Sequence, residues 1–200
     1  MECIFNNHEL ICHDLIESIV FALDAKDSYT AKHSMRVGDM ACEVCKFLNL
    51  STEDREIIHI AGHVHDIGKI GIPDNILNKK SKLSEEEWNV IKQHPAIGAK
   101  ILSSSKKLAK ISEIILYHHE RVDGNGYPKG LKENQIPLGA RIISICDSID
   151  AMLSKRAYRN SLKLSACKLE IEKNIGIMYD EKIAKCVLNN WDSLNKSIKR

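Results

Sequence analysis

The chain has 200 residues, of which 44% are hydrophobic and 28% charged, an ordinary balance for one globular domain. Its 29 basic and 27 acidic residues give a net charge of +2, too small an excess for a protein that coats DNA or RNA. No apolar run is long enough for a membrane span or a secretory signal, and seven cysteines without a disulfide-like framework favour a reduced, cytoplasmic setting.

The spacing of apolar residues is helical through most of the chain. Residues 1–8 are predicted to be a loosely held leader and residues 9–200 a single domain. Between positions 10 and 23 the apolar residues recur at intervals of three and four, which places them on one face of a helix. A second helix is predicted from about Thr30 to Leu48.

Capping residues mark the beginnings of the next helices. Ser51 is followed three residues later by Asp54, and Ser84 is followed in the same way by Glu87. A serine with an acidic residue at this spacing satisfies free amide groups at a helix N-terminus. The second of these helices leads towards His94, after which Pro95 starts the next segment.

Further helices are predicted in the second half of the chain, at about 111–119, 138–153, 163–173 and 180–191. Two loops separate helices, at 69–75 and at 120–137. The longer loop holds three of the ten glycines and two of the four prolines, and irregular loops of this length are commonly functional. Because no alternating strand pattern appears, the predicted fold class is all-α, a single helical bundle.

Histidine and aspartate residues form adjacent pairs that suit metal coordination. Neighbouring residues on a helix point about 100° apart, so each pair can serve two ions or straddle one. One tetrahedral zinc ion needs only about four ligands, and a larger set favours two ions in one pocket. The candidate ligands are His33, His65, Asp66, His94, His118, His119 and Asp147. The remaining histidines are expected not to be ligands: His8, His13, His59 and His63.

This set of ligands predicts a two-metal centre for phosphoryl chemistry. Two divalent ions about 3.5–4 Å apart can share a water and bind both oxygens of an in-line displacement. Asp66 is the predicted bridge, because a carboxylate has two oxygens to divide between metals. One metal would be completed by His33, His65 and Asp147, and the other by His94, His118 and His119. Mixed imidazole and carboxylate ligands suit iron or manganese, with zinc, nickel, cobalt or magnesium as alternatives.

In their order along the chain, these motifs resemble the HD-GYP family of HD-domain phosphohydrolases. The resemblance rests on His65-Asp66-Ile67-Gly68-Lys69 and on Gly126-Tyr127-Pro128, and it spans about Leu15 to Trp191. It implies an all-helical HD scaffold and hydrolysis of cyclic di-GMP to linear pGpG, and in many members onward to GMP. The mechanism we expect is attack of a bridging hydroxide on one phosphorus. The same seven metal ligands carry over from the family motif.

The resemblance also implies roles in substrate binding. Lys69 is expected to approach a substrate phosphate and to act in catalysis together with Asp66. Arg156 and Arg159 correspond to a basic pair that binds phosphate oxygens. Tyr127 is expected either to contact a guanine base or simply to anchor its loop.

Two further residues lie where they can support the metal ligands. Asp150 follows Asp147 by three residues on the same helix face and is expected to orient a ligand or to cap a helix, because metal-bound imidazoles need an acceptor for their other N–H. Arg36 lies one turn beyond His33 and is expected to pair with such an acid, with direct contact to the substrate as the alternative.

One departure from the family bears on the number of metals. Members with a third metal place a glutamate four residues before the first histidine, where this chain has Tyr29. A neutral phenol is a poor replacement for a carboxylate, so two metals are predicted. The family is usually attached to sensory domains, and the expected partners are a sensory protein or a GGDEF diguanylate cyclase, with neither a nucleic-acid polymer nor a membrane.

Several alternatives stay open at this point. The substrate could be another cyclic dinucleotide, such as cyclic GMP-AMP. It could also be linear pGpG alone, or a nucleoside phosphate. The chain could also be a catalytically weak cyclic di-GMP receptor or interaction module, or a structural HD fragment of a larger protein. A degenerate receptor is expected to have lost several ligands, and all seven stand here, which favours the enzyme.

Overall fold

The computed structural model describes residues 8–26, 32–154 and 161–198, and within these ranges the chain is helical and forms no β-strand. The all-α prediction is confirmed. The α-helices are α1 (His8–Lys26), α2 (His33–Phe47), α3 (Thr52–Val64), α4 (Asp74–Leu77), α5 (Glu85–Ile91), α6 (His94–Leu102), α7 (Ala109–Leu116), α8 (Leu138–Leu153), α9 (Leu164–Lys173), α10 (Glu181–Asn189) and α11 (Trp191–Ile198). Short 3-10 helices span Ile67–Gly71, Lys106–Leu108 and Glu133–Gln135.

The predicted N-terminal caps of α3 and α5 are confirmed. The Ser51 hydroxyl accepts a hydrogen bond from the Asp54 amide at 3.1 Å. In α5 the bonds are reciprocal: the Glu87 amide donates to the Ser84 hydroxyl at 3.2 Å, and the Ser84 amide donates to the Glu87 carboxylate at 2.8 Å. Each cap of this kind stabilises a helix by about 1 kcal/mol.

The centre of the bundle is formed by α2 and α8. On α2 the side chains of Val37, Ala41 and Val44 are fully buried, and on α8 those of Ile142 and Ile149 are fully buried. Helix α2 packs against α3, α8 and α11, while α6 packs against α7 and the 3-10 helix Ile67–Gly71. This packing brings the start of α2, the end of α3 and the start of α6 to one region.

The end of the chain differs from the prediction of one helix at 180–191. Helix α10 ends at Asn189 and α11 begins at Trp191. The side-chain amide of Asn190 donates to the Cys186 carbonyl at 2.9 Å, which ends the first helix. Helix α11 packs against α2 and buries Trp191 and Leu194 in the core, a tertiary effect that local periodicity does not predict.

Other elements also differ from the prediction: the helix expected at 111–119 is α7, Ala109–Leu116, which ends before the histidine pair. The second helix begins at His33, preceded by Lys32 in a left-handed conformation with φ 64°, whereas the predicted start at Thr30 lies outside the described residues. The single turn of α4 was not predicted; it follows Pro73, whose fixed φ suits a helix start. Across the described part of the chain, none of the helices combines the length and apolarity that a membrane crossing requires.

Candidate metal centre

Helix ends deliver most of the predicted ligands to one place in the bundle. His33 and His94 are the first residues of α2 and α6, His65 and Asp66 directly follow α3, and the histidine pair 118–119 follows α7. Asp147 comes from within α8. The structure therefore brings all seven side chains together, although their role as metal ligands stays a prediction.

The carboxylate of Asp66 lies between two groups of imidazoles. Its Oδ1 is 3.3 Å from Nε2 of His94. Its Oδ2 is 3.4 Å from Nε2 of His65 and 4.0 Å from Nε2 of His33. One oxygen thus faces each group, which is the arrangement that a bridging carboxylate requires.

The two groups match the predicted division of ligands. The nitrogens of His94, His118 and His119 lie within 4.8 Å of one another, and the donor atoms of His33, His65 and Asp66 do the same. Oδ1 of Asp147 is 3.2 Å from Nε2 of His33, so this carboxylate belongs with the second group. Each group offers three or four donors, which is what one ion of a pair needs.

Backbone contacts fix the orientation of three of the imidazoles. Nδ1 of His65, His94 and His118 lies 2.7, 2.8 and 2.7 Å from the carbonyl oxygen three residues earlier in each case. A carbonyl only accepts, so Nδ1 carries the proton and the lone pair of Nε2 points into the centre. Nε2 of His65 is buried without a hydrogen-bond partner, and a buried nitrogen of this kind fits a metal ligand.

The fourth imidazole is oriented by a carboxylate, as predicted. Nδ1 of His33 lies 2.6 Å from Oδ2 of the buried Asp150. Arg36 holds the same carboxylate from its other side, with Nε donating to Oδ1 at 2.6 Å and Nη2 donating to Oδ2 at 2.9 Å. Burial acts to lower the pKa of His33, but hydrogen bonds to Asp147 and Asp150 outweigh it and raise that pKa to about 9. The surroundings of His33 therefore favour positive charge.

The protonation states of the other groups suit a divalent cation. Burial lowers the pKa of His94, lowers that of His119 to about 3, and lowers that of His118 well below its usual value. Burial alone would raise the pKa of Asp66, but the Lys69 ammonium and nearby imidazoles outweigh it and hold that pKa well below its ordinary range. Neutral imidazoles and ionised carboxylates are the forms that bind metals, so the residues present fit a pair of divalent ions.

The segment after Asp66 brings a cation to the centre. Nζ of Lys69 is 2.8 Å from Oδ2 of Asp66, and its side chain is 18% exposed. The preceding glycine allows this segment to touch α6, because a Cβ on Gly68 would lie 1.8 Å from the His94 carbonyl oxygen and 2.5 Å from the Gly98 amide. The close backbone approach explains why glycine stands in this motif.

The long loop is anchored by Glu120, which the sequence analysis did not single out. Its buried carboxylate accepts hydrogen bonds from the amides of Lys129, Gly130 and Leu131 at 2.7, 3.1 and 3.0 Å. The sequence did contain a signal that could have identified Glu120. It is an acidic residue that directly follows a histidine pair and precedes a glycine-rich loop. The anchored loop lies against the end of α7, beside the candidate ligands.

Tyr127 stacks on a candidate ligand within this loop. Its ring lies 4.8 Å from that of His119 at an angle of 29°, and its amide donates to the His119 carbonyl at 3.2 Å. Burial raises the pKa of the Tyr127 phenol. The contact supports the loop-anchoring alternative, and contact with a base stays a prediction.

Some predicted residues lie outside the described ranges or away from the centre. Arg156, Arg159 and Tyr29 are outside the described residues, so their predicted roles are not addressed by the geometry. His59 and His63 contact Asp39 on the α2–α3 face instead of the centre.

Comparisons with known proteins agree with this architecture. A family model described as HD domain matches residues 16–183. The chain is similar to a cyclic di-GMP phosphodiesterase of Thermotoga maritima, with 39% identity over 186 residues that cover 92% of this chain and 50% of the relative. It is also similar to 3'3'-cGAMP-specific phosphodiesterase 2 of Vibrio cholerae, with 32% identity over 181 residues that cover 90% and 35% of the two chains.

A solved structure supports the fold. The crystal structure of a cyclic GMP-AMP-specific phosphodiesterase of Vibrio cholerae, V-cGAP3, matches with a TM-score of 0.72 and 17% identity, over 93% of this chain and 50% of that chain. The chain therefore spans about half the length of this structure and of the Thermotoga relative.

Proposed function

The chain belongs to the HD-domain family, with the motifs of its HD-GYP branch, and from that premise we propose that it is a metal-dependent phosphodiesterase. Its proposed substrate is cyclic di-GMP, which it hydrolyses to linear pGpG; the product analysis described below decides whether hydrolysis continues to GMP. Members of the family depend on metal ions, and the proposed cofactors here are two divalent ions, iron or manganese.

The observation that carries the proposal is the position of Asp66 between two groups of imidazoles. One carboxylate oxygen lies 3.3 Å from His94 and the other lies 3.4 Å from His65. A single-metal site has no need for a carboxylate that divides its oxygens in this way. Bound ions would supply Lewis acidity and a water of lowered pKa, and phosphodiester hydrolysis is a reaction that uses both.

The side chains around the ions have separate proposed tasks. Asp150 and Arg36 keep the His33 ring in position. Lys69 places a fixed positive charge beside Asp66, where negative charge develops on a substrate phosphate, and such preorganised charge stabilises the transition state. Arg156 and Arg159 are proposed to bind the phosphate oxygens.

The choice of cyclic di-GMP rests on the curated relatives. The Thermotoga relative bears that name at 39% identity, and the Vibrio relative named for 3'3'-cGAMP has 32%. Cyclic GMP-AMP is therefore the second candidate substrate. The five cysteines that the structure describes as free support a reducing compartment, and we propose action in the cytoplasm with input from a sensory protein or a diguanylate cyclase.

The test is product analysis with metal-loaded protein. Protein prepared without oxygen and loaded with iron or manganese is incubated with each cyclic dinucleotide, and the products are separated by chromatography. We expect pGpG from cyclic di-GMP, a higher kcat/KM than for cyclic GMP-AMP, and no product with Asp66→Ala. Binding without turnover by the loaded protein would contradict the enzyme and favour the receptor. A reversed order of kcat/KM would favour cyclic GMP-AMP.

A further inference from the structure

A second group of metal-binding side chains lies on the face shared by α2 and α3. We call Asp39, His59 and His63 the outer cluster; their donor atoms all lie within 4.8 Å of one another. Oδ1 of Asp39 is 3.1 Å from Nε2 of His59 and 3.7 Å from Nε2 of His63. The two imidazole rings are 4.2 Å apart at 62°.

The arrangement follows from helical spacing. His59 and His63 are four residues apart on α3, so they project from one face, one turn apart, and histidines at this spacing are a common zinc-binding pair. Asp39 adds a carboxylate from the neighbouring helix. Ligand atoms about 2.0–2.2 Å from a tetrahedral ion lie about 3.3–3.6 Å from each other, and the observed separations of 3.1 and 3.7 Å bracket that range.

Two glycines make room for the cluster. A Cβ on Gly38 would lie 2.0 Å from Cδ2 of His63, and a Cβ on Gly62 would lie 2.6 Å from the Gly38 Cα. The helices therefore meet at their backbones, and the His63 ring fills the space beside Gly38. This close approach is what brings α3 imidazoles within reach of a carboxylate on α2.

The cluster is open on one side and separate from the candidate metal centre. The side chain of His63 is 1% exposed and that of Asp39 is 61% exposed, so an ion can enter from solvent and keep water as a further ligand. His63 and His65 are two residues apart, about 200° around a helix, and their Nε2 atoms face Asp39 and Asp66 respectively.

We propose that Asp39, His59 and His63 bind one divalent transition-metal ion of the zinc class, independently of the candidate metal centre. Two imidazoles and one carboxylate, with water in the remaining position, suit zinc, nickel or copper. The ion joins α2, which begins with His33, to α3, which ends just before His65. It therefore stabilises the pair of helices that positions half of the candidate centre.

The test compares the zinc content per chain of the unaltered protein with that of variants that lack a ligand of the outer cluster. Manganese-loaded protein is dialysed against Zn²⁺, and zinc and manganese per chain are measured by elemental analysis in the unaltered protein, in His59→Gln and in Asp39→Asn. Glu56→Gln, which removes an exposed carboxylate from the same helix, is the matched control. We expect the unaltered protein and the control to hold one more zinc per chain than either cluster variant, even if zinc also exchanges into the centre.

A second measurement follows the thermal midpoint. Zinc should raise the Tm of the unaltered protein and of Glu56→Gln more than that of the two cluster variants, because the ion binds the folded helix pair. Equal zinc content in all four proteins would overturn the proposal and leave the cluster as a histidine–aspartate ion pair. Neither readout uses hydrolysis, so the proposal is tested independently of the proposed function.

Discussion

Asp150 is the carboxylate that holds Nδ1 of His33, on the side of the ring away from Asp66 and Asp147. Asp150 accepts from the His33 ring at 2.6 Å and from Arg36 at 2.6 and 2.9 Å. Asp150→Asn removes the charge that holds both partners, and substitutions of this kind weaken metal binding or activity about 10–100-fold. We expect that loss in a metal titration. Ser154→Ala, which removes a weaker contact to the same carboxylate at 3.2 Å, is the control and should bind metal normally; an Asp150→Asn variant with unchanged affinity and turnover would contradict the role.

Lys69 is not a candidate metal ligand, so its substitution tests the role of a positive charge in catalysis while the metals stay bound. Lys69→Ala should keep both metals but lower kcat for cyclic di-GMP at least about a hundredfold, which is the effect of removing one preorganised charge from a transition state. Lys100→Ala removes an exposed lysine from α6 and should leave kcat unchanged. Unaltered turnover in Lys69→Ala, measured with its metal content, would remove the phosphate role.

The sequence allowed single residues to be identified where the signal is local. Adjacent pairs such as His65-Asp66 lie in the chain itself, and Asp150 and Arg36 were identified because each lies about one helical turn from a candidate ligand on its own helix. The Glu120 anchor and the outer cluster could not be predicted in the same way. Asp39 meets His59 only because α2 packs on α3, and Glu120 meets amides nine to eleven residues away that only the folded loop directs towards it.

At the scale of elements, one glycine controls how the 3-10 helix Ile67–Gly71 meets α6. Gly68→Ala should lower the free energy of unfolding by roughly 1–3 kcal/mol, the usual cost of overpacking, and reduce metal content, because the added carbon would meet the His94 carbonyl at 1.8 Å. Denaturant unfolding and elemental analysis measure the two effects. Gly71→Ala meets only the Ile97 side chain at 3.0 Å and serves as control; equal stability and metal content in the two variants would refute the close-contact argument.

The long loop depends on Glu120 for its shape. Glu120→Gln replaces an acceptor of three amide hydrogen bonds with a group that is half donor, and we expect a loss of about 1–3 kcal/mol in unfolding free energy. Because Tyr127 packs on His119 from this loop, kcat/KM should fall while both metals remain. Glu133→Gln alters an exposed carboxylate of the same loop and should change neither quantity. A Glu120→Gln variant with normal stability and kcat/KM would show that the anchor is dispensable.

The positions of the helices, and the starts that carry a capping serine, could be predicted from periodicity and caps. The residues at which helices end could not. The starts of α3 and α5 followed from Ser51 and Ser84, whose capping bonds are local. The break at Asn190 and the burial of Trp191 depend on α11 packing against α2, and a local pattern does not contain that contact.

At the scale of the whole molecule, the bundle gathers candidate ligands from α2, α6 and α8 and from the segments after α3 and α7. These elements are far apart in sequence, so convergence of their side chains is a property of the complete fold. We propose that this convergence creates a site for two ions that share Asp66.

The most direct test is the number of metal ions per chain in protein prepared without oxygen. Asp39→Asn is introduced first, so that the outer cluster does not contribute, and the count is repeated with Asp66→Ala added. We expect two ions in the first protein and none in the second, because both ions lose their common ligand. Two ions retained after Asp66→Ala, in protein that is still folded by circular dichroism, would contradict the proposal.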